Sequence, residues 1–306
     1  MEKLSAKLVL DARAELGECV RWDHEAKLVY WVDINRNQLH RFNPATGENQ
    51  SMDIGQNIGC FAQDKKGGFI AGLRTGYARI THFGGDVIAL TSPDYDPSKA
   101  RFNDGRCDNS GRFWAGTMWE PRDRAGGVVY CLESDGEFRA GAVPTVITNA
   151  ITFSADGKTM TLSDTPNHVL WAFDYDEATA TPSNQRVLRR YDRPAVDGNG
   201  NPPGYGGRPD GACVDSEGNV YVACIQGSRV EKISPSGELL AVIELPVPCP
   251  TCCTFGGEDL RTLYIVTGRI RMSEDQIAAT PEAGGIFAVR LEAPHAPGIL
   301  EPRFAG

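Results

Sequence analysis

Apolar and polar residues alternate along this chain in short runs, punctuated by turns of Asp, Asn, Ser and Gly. Six segments repeat one plan, a turn followed by an apolar run: RWDHEAKLVYWVD (21–33), AQDKKGGFIAGL (62–73), RCDNSGRFWAGT (106–117), TFSADGKTMTLSD (152–164), CVDSEGNVYVAC (213–224) and TFGGEDLRTLYIVTG (254–268). The first turn position falls at Asp23, Asp64, Asp108, Ser154, Asp215 and near Glu258. The steps are roughly 41–46 residues with one of about 61, the period of propeller blades. Each repeat runs on into a second hairpin: QLHRFNPATGE, ARITHFGGDV, VVYCLESDGEF, LWAFDYDEATAT, RVEKISPSGEL and finally GIFAVRLE. Period-two alternation between Asp/Asn/Gly turns predicts four short antiparallel strands per repeat. The expected fold is all-β, a six-bladed β-propeller, with residues 1–306 as a single domain.

The turn glycines also fix a register. Each turn joins the innermost strand of a blade to the second, so counting back eight residues reaches the point where the inner strand enters the central channel. From Gly111, Gly157 and Gly218 the count lands on Asn103, Asn149 and Asp210, and from Ala26, at the equivalent turn position, on Glu18. From Gly67 it lands on Gly59, while the irregular sixth turn points near Cys252. A single Asp or Asn at a strand entry reads as an ordinary turn residue bonding its own backbone. Four oxygen-bearing side chains in one register read differently, because two carboxylates converging on an axis disfavour joint ionisation. One bound divalent cation resolves that conflict, and hard oxygen donors suit Ca²⁺, Mg²⁺, Mn²⁺ or Fe²⁺, with Zn²⁺ also admissible.

Composition narrows the partners. There are 31 Lys+Arg against 40 Asp+Glu, a formal net charge of −9, which argues against nucleic acid or an anionic membrane surface. No run approaches the roughly 18 apolar residues of a membrane span, and LVL near the N-terminus is too short for a secretory signal, so the expected location is the cytoplasm. Most of the nine cysteines lie inside strand patterns, as small core residues do, and the one CxxC, Cys249 and Cys252, lacks a second pair or a His couple. GxSxG, HExxH and GxGxxG are absent, and His24, His40, His82, His168 and His295 sit away from the rung. The fourth repeat carries about 15 surplus residues in YDRPAVDGNGNPPGYGGRP, just before Asp210. Such a loop suits a lid or pocket wall at the channel rim, or equally a solvated surface excursion.

LGECVRWD, RFNDGRCDNSGRFWAGTM, TNAITFSADGKTM, RPDGACVDSEGNVYVA and CCTFGGEDLRTLYIVT together resemble the gluconolactonase family that includes the senescence-marker protein (regucalcin). The resemblance implies a divalent metal on Glu18, Asn149 and Asp210, with sugar hydroxyls contacted by Arg101 and Asn103. Two positions depart from the family pattern. Ala150 follows Asn149 where Gly is frequent, a change tolerated if the Asn is not left-handed. Trp119, Glu120 and Pro121 follow GTM where paired acids are expected, which leaves Glu120 as a substrate-contact candidate and puts Trp119 beside the pocket.

The function so implied is a divalent-metal-dependent sugar lactonase, a carboxylic ester hydrolase opening an aldonolactone, with Asp210 as general base. Two alternatives share the scaffold: a calcium-dependent phosphotriesterase or aryl esterase, and a non-catalytic propeller that binds calcium or peptides. Arg101 and Asn103 as polar groups for a polyol favour the lactonase over the first, and the axial oxygens argue against the second.

Overall fold

The computed structural model describes residues 2–141, 143–193 and 204–306. Six antiparallel sheets are arranged as blades, with inner strands Gly17–Asp23, Ile58–Gln63, Ala100–Cys107, Thr148–Phe153, Arg208–Val214 and Pro250–Gly256. Inner strands of neighbouring blades contact one another all the way round, closing the ring. Among the described residues no helix is long and apolar enough to cross a membrane.

The repeat turns perform as their chemistry requires. Asp23, Asp64 and Asp215 accept hydrogen bonds from backbone amides two residues on, and Asp108 from the amide of Arg112, the Asx-type bonding that makes Asp a turn former. All four carboxylates also meet a cation, Arg303 on Asp23, Arg79 on Asp64, Arg112 on Asp108 and Lys232 on Asp215. The interior between blades is filled by the alternating apolar residues of the strands, with Trp31, Trp114, Phe61 and Phe287 fully buried. All nine cysteines are free and buried within that packing.

Closure of the ring uses the N-terminus, which the repeat pattern alone does not reveal. The sixth blade has only three strands from its own repeat, and Lys7–Leu10 supplies the fourth by pairing antiparallel with Ile286–Arg290. Glu2–Ser5 adds in parallel to the outer edge of the fifth blade, giving it a fifth strand. Joining first and last repeats by one sheet leaves no open seam, which limits exposed strand edges.

The C-terminal segment closes one end of the channel. Backbone bonds tie Phe304 to Gln63 and Lys65, Ala305 to Gly111, and Pro297 to Ser216, so the segment crosses the turn-bearing face of several blades. Glu301 inserts its carboxylate between two arginines of the inner strands, 3.0 Å from Arg21 Nε and 3.3 Å from Arg106 Nη2, and accepts from Thr254 Oγ1 at 3.1 Å. Both arginines are buried on the axis. Removing the counter-charge leaves two buried guanidinium groups, a class of change that costs about 3–5 kcal/mol. Glu301→Ala is therefore expected to lower the free energy of unfolding by that much, with Glu301→Gln intermediate. Both are read by equilibrium urea unfolding monitored through tryptophan fluorescence.

Candidate functional site

Every inner strand breaks register with its neighbour at the same level. The pairing jumps between Glu18 and Arg21, Ile58 and Cys60, Phe102 and Asp104, Asn149 and Thr152, Pro209 and Ala212, and Pro250 and Cys252. These are β-bulges, which re-aim side chains where a strand would otherwise alternate. The level they mark carries Glu18, Gly59, Asn103, Asn149, Asp210 and Thr251. Thr251, next to Cys252 where the irregular last turn points, is thus the sixth position, the turn being one residue out of step with the bulge. Gly59 has a packing reason: a Cβ there would lie 2.1 Å from the carbonyl oxygen of Phe102 on the next blade. The left-handed conformation belongs to Ala150 (φ 51°) rather than to Asn149, and to Cys19 (φ 46°) after Glu18, strain of about 1–2 kcal/mol that a glycine would not carry.

Glu18, Arg101, Asn103, Asn149 and Asp210 line one cavity of about 380 Å³, together with Leu16, Met118, Thr165 and Arg208 among others. The volume falls within the roughly 300–1,000 Å³ of small-molecule pockets. The five are less than a tenth exposed and are wired laterally. Asn103 Nδ2 donates to the carbonyl of Thr148 and to Asn149 Oδ1, both at 2.9 Å. Asn149 Nδ2 donates to Thr165 Oγ1 (2.8 Å), whose hydroxyl donates to the carbonyl of Pro209 (2.7 Å) beside Asp210. Arg101 Nη1 donates to the carbonyl of Phe102 and to Asn103 Oδ1. Both amide hydrogens of Asn103 are therefore spent, and only a lone pair of its Oδ1 is left for an incoming hydroxyl. Asn149 keeps one Oδ1 lone pair in the same way.

Electrostatics separate the carboxylates from the arginine. Burial pushes the Glu18 carboxyl well above the usual carboxylate range, helped by repulsion from Asp210 and Asp104 and opposed by the Cys19 amide and Arg101. Asp210 is raised too, by burial first; Arg208 beside it and a hydrogen bond from Asn149 pull the other way, while Asp104 adds repulsion. Burial holds the Arg101 guanidinium down to about 10. Among the described residues neither Glu18 nor Asp210 has a cationic side chain within ion-pair distance. No three His, Cys, Asp or Glu side chains gather as a metal cluster there, so an oxygen site has to draw on Asn149. The neighbouring thiols do not compete: burial lifts Cys19 to about 12 and Cys252 well above its ordinary value. Two buried carboxylates without an ion-pair partner and an amide oxygen with one lone pair left form a donor set that fits a hard divalent cation.

Glu120 stands apart from the axial oxygens. Its carboxylate receives two hydrogen bonds from Arg74, at 2.9 and 2.8 Å, and lies 3.6 Å from Arg101 Nε. It lines an outer basin of about 420 Å³ that shares Leu16, Arg101, Met118, Arg122, Ile270 and Arg271 with the axial cavity. Trp119 turns away from the cavity, stacked under Arg124 and donating to Asp123; Met118 takes the lining position because successive strand residues face opposite sides. Residues 194–203 of the surplus loop lie outside the described residues. Arg122, Arg208, Arg271 and Asp104 were not singled out by the sequence. A charged residue directly after Asn103 inside a strand was the available signal for Asp104, whereas Arg122 and Arg271 sit in turns with no repeat signature.

The sequence profile of the SMP-30/Gluconolactonase/LRE-like region matches residues 16–269. The chain is 39% identical over 300 residues to a 6-deoxy-6-sulfogluconolactonase of Pseudomonas putida, covering 98% of both chains. It is 32% identical to regucalcin of Oryctolagus cuniculus, covering 94% of this chain and 95% of that one. Among solved structures, a calcium-binding regucalcin of Agrobacterium tumefaciens str. C58 superposes with a TM-score of 0.88 at 24% identity, over 100% of this chain and 99% of the other, a likeness of fold. On the extent of these matches, the chain belongs to the SMP-30/gluconolactonase/LRE-like family.

Proposed function

We propose that the protein is a divalent-metal-dependent sugar lactonase that hydrolyses an aldonolactone to its aldonic acid. The observation that carries this reading is the placement of two buried carboxylates without ion-pair partners and a half-free amide oxygen beside Arg101 in one cavity. The names of the relatives support a lactone substrate, since 6-deoxy-6-sulfogluconolactonase is 39% identical over 98% of both chains.

Glu18, Asn149 and Asp210 would hold the cation, with Asn103 and Thr165 fixing the orientation of the Asn149 amide. When bound, the cation would polarise the lactone carbonyl and lower the pKa of a water at the site. Asp210 takes a proton from the attacking water, the new C–O bond forms at the carbonyl carbon, and the ring C–O bond breaks. The proton then passes from the Asp210 carboxyl to the departing ring oxygen, which leaves as an alcohol. Arg101 Nη2, which has no acceptor among the described residues, is placed to donate to a ring hydroxyl or to the oxyanion. The Asn103 oxygen accepts from a second hydroxyl, and Glu120, held by Arg74, keeps the Arg101 guanidinium in place.

Asp210→Asn preserves shape and removes charge. It is expected to weaken cation binding by at least tenfold in calorimetric titration and to lower kcat/KM by several kcal/mol of transition-state stabilisation. Unchanged cation affinity with unchanged turnover would remove Asp210 from the site. Arg101→Lys keeps the charge but loses the planar fork, so kcat/KM on a polyhydroxylated lactone should fall more than on a plain aliphatic lactone, with cation affinity little altered. Equal losses on both would refute hydroxyl recognition, and higher rates on paraoxon or phenyl acetate than on any sugar lactone would favour an esterase instead.

A pH dependence follows from the raised carboxyls. In metal-free protein the folded state binds more protons than the unfolded chain, so stability falls as pH rises from the unfolded carboxylate range toward the folded values. A cation that binds the ionised forms cancels that loss. The rise in Tm on adding saturating Ca²⁺ or Mn²⁺ is therefore expected to be larger at pH 7.5 than at pH 5, by differential scanning fluorimetry.

A further inference from the structure

The charges around the axial cavity do not balance. Arg74 and Arg101 share the Glu120 carboxylate, but Arg122, Arg208 and Arg271, which also line the cavity, have no such partner among the described residues. Arg122 and Arg271 are exposed, and among the described residues neither side chain meets a carboxylate or other acceptor. Arg208 Nη2 donates only to the neutral amide of Gln226, and its Nε is buried without a hydrogen-bond partner. Glu18 and Asp210 offset these guanidinium groups in part, yet a divalent cation on those carboxylates would consume that compensation. Three arginines facing one cavity are also out of keeping with a chain of net charge −9. Arg122 and Arg271 moreover both adopt left-handed backbone (φ 59° and 58°), conformations that an L-residue holds at a cost.

We propose that Arg122, Arg208 and Arg271 form an anion-binding subsite next to the axial oxygens, and that the substrate is a sugar lactone carrying a phosphate, sulfonate or carboxylate at the end remote from its carbonyl. This rests on the lactonase reading of the same cavity. Guanidinium groups match such oxyanions because their forked donors form paired, charge-assisted hydrogen bonds. The layout divides the labour: the axial oxygens engage the carbonyl end, Arg101 and Asn103 the ring hydroxyls, and the outer arginines the terminal anion. Arg122 and Arg271 belong to both the axial cavity and the outer basin, so the anion would lie on the solvent side, where its desolvation is least costly.

The test compares the full-length, cation-loaded protein on glucono-1,5-lactone, its 6-phosphate, its 6-deoxy-6-sulfonate and the lactone bearing a terminal carboxylate. At least one anionic lactone is expected to exceed the neutral one in kcat/KM by about tenfold or more, and that preference should shrink as salt rises. In the double variant Arg122→Gln/Arg271→Gln, whose sites are exposed turns, the ratio of anionic to neutral kcat/KM should fall by about tenfold. The three anionic arms identify which group is taken. A neutral lactone hydrolysed as well as every anionic one, or a ratio unaltered in the double variant, overturns the proposal. Calorimetry with the aldonate product of the preferred anionic lactone against gluconate reads the subsite without turnover: tighter binding of the anionic product that the double variant loses supports it, and equal binding refutes it. Hydrolysis of none of the lactones would instead defeat the lactonase reading, and this substrate class with it.

Discussion

Charge buried on the propeller axis governs this molecule. Six inner strands converge there, and the side chains they direct inward form layers of alternating sign. Glu18 and Asp210 lie at the upper level with Asp104 next to them; Arg21 and Arg106 follow three residues further along their strands, and Glu301 of the C-terminal segment meets both from below. The lower layers neutralise one another, whereas the upper carboxylates find no cationic side chain at bonding distance. Ionised groups in a low-dielectric interior demand partners, and the two ends of the channel answer that demand differently. The lower end is sealed by protein; at the upper end, among the described residues, the carboxylates keep their charge available to a ligand.

The bulges explain how a regular sheet presents so dense a polar ring. A strand of uniform alternation would send neighbouring positions to opposite faces. One register break per inner strand lets Glu18, Asn103, Asn149 and Asp210 arrive at a common level while the residues around them stay in the blade core. Two of the non-glycine residues in left-handed conformations, Cys19 and Ala150, sit within these breaks, so some backbone strain is held where the site is built. The chain of bonds from Arg101 through Asn103, Asn149 and Thr165 to Pro209 then couples neighbouring blades 3, 4 and 5. An amide held on both sides by such bonds presents its remaining lone pair in a fixed direction, which is preorganisation rather than adaptation.

Repeating turns and alternation were sufficient to determine the six blades, the inner-strand register and the convergence of Glu18, Asn103, Asn149 and Asp210, because turn chemistry and the two-residue strand period are local properties. The sixth rung position was displaced by one residue because its level is set by a bulge, and a bulge depends on how the partner strand packs. Ring closure by Lys7–Leu10 and the seal made by Glu301 were not legible, since pairing between the ends of a chain leaves no periodic trace near either end. The same holds for Arg122 and Arg271: their turns carry no repeat signature, and only the tertiary arrangement brings them to the mouth of one cavity. It also decided that Glu120 belongs to the outer basin with Arg74 and that Trp119 faces away. Local sequence determined which residues could reach the axis; long-range packing decided which of them remain without a partner, and it is those unsatisfied groups that make the cavity a site.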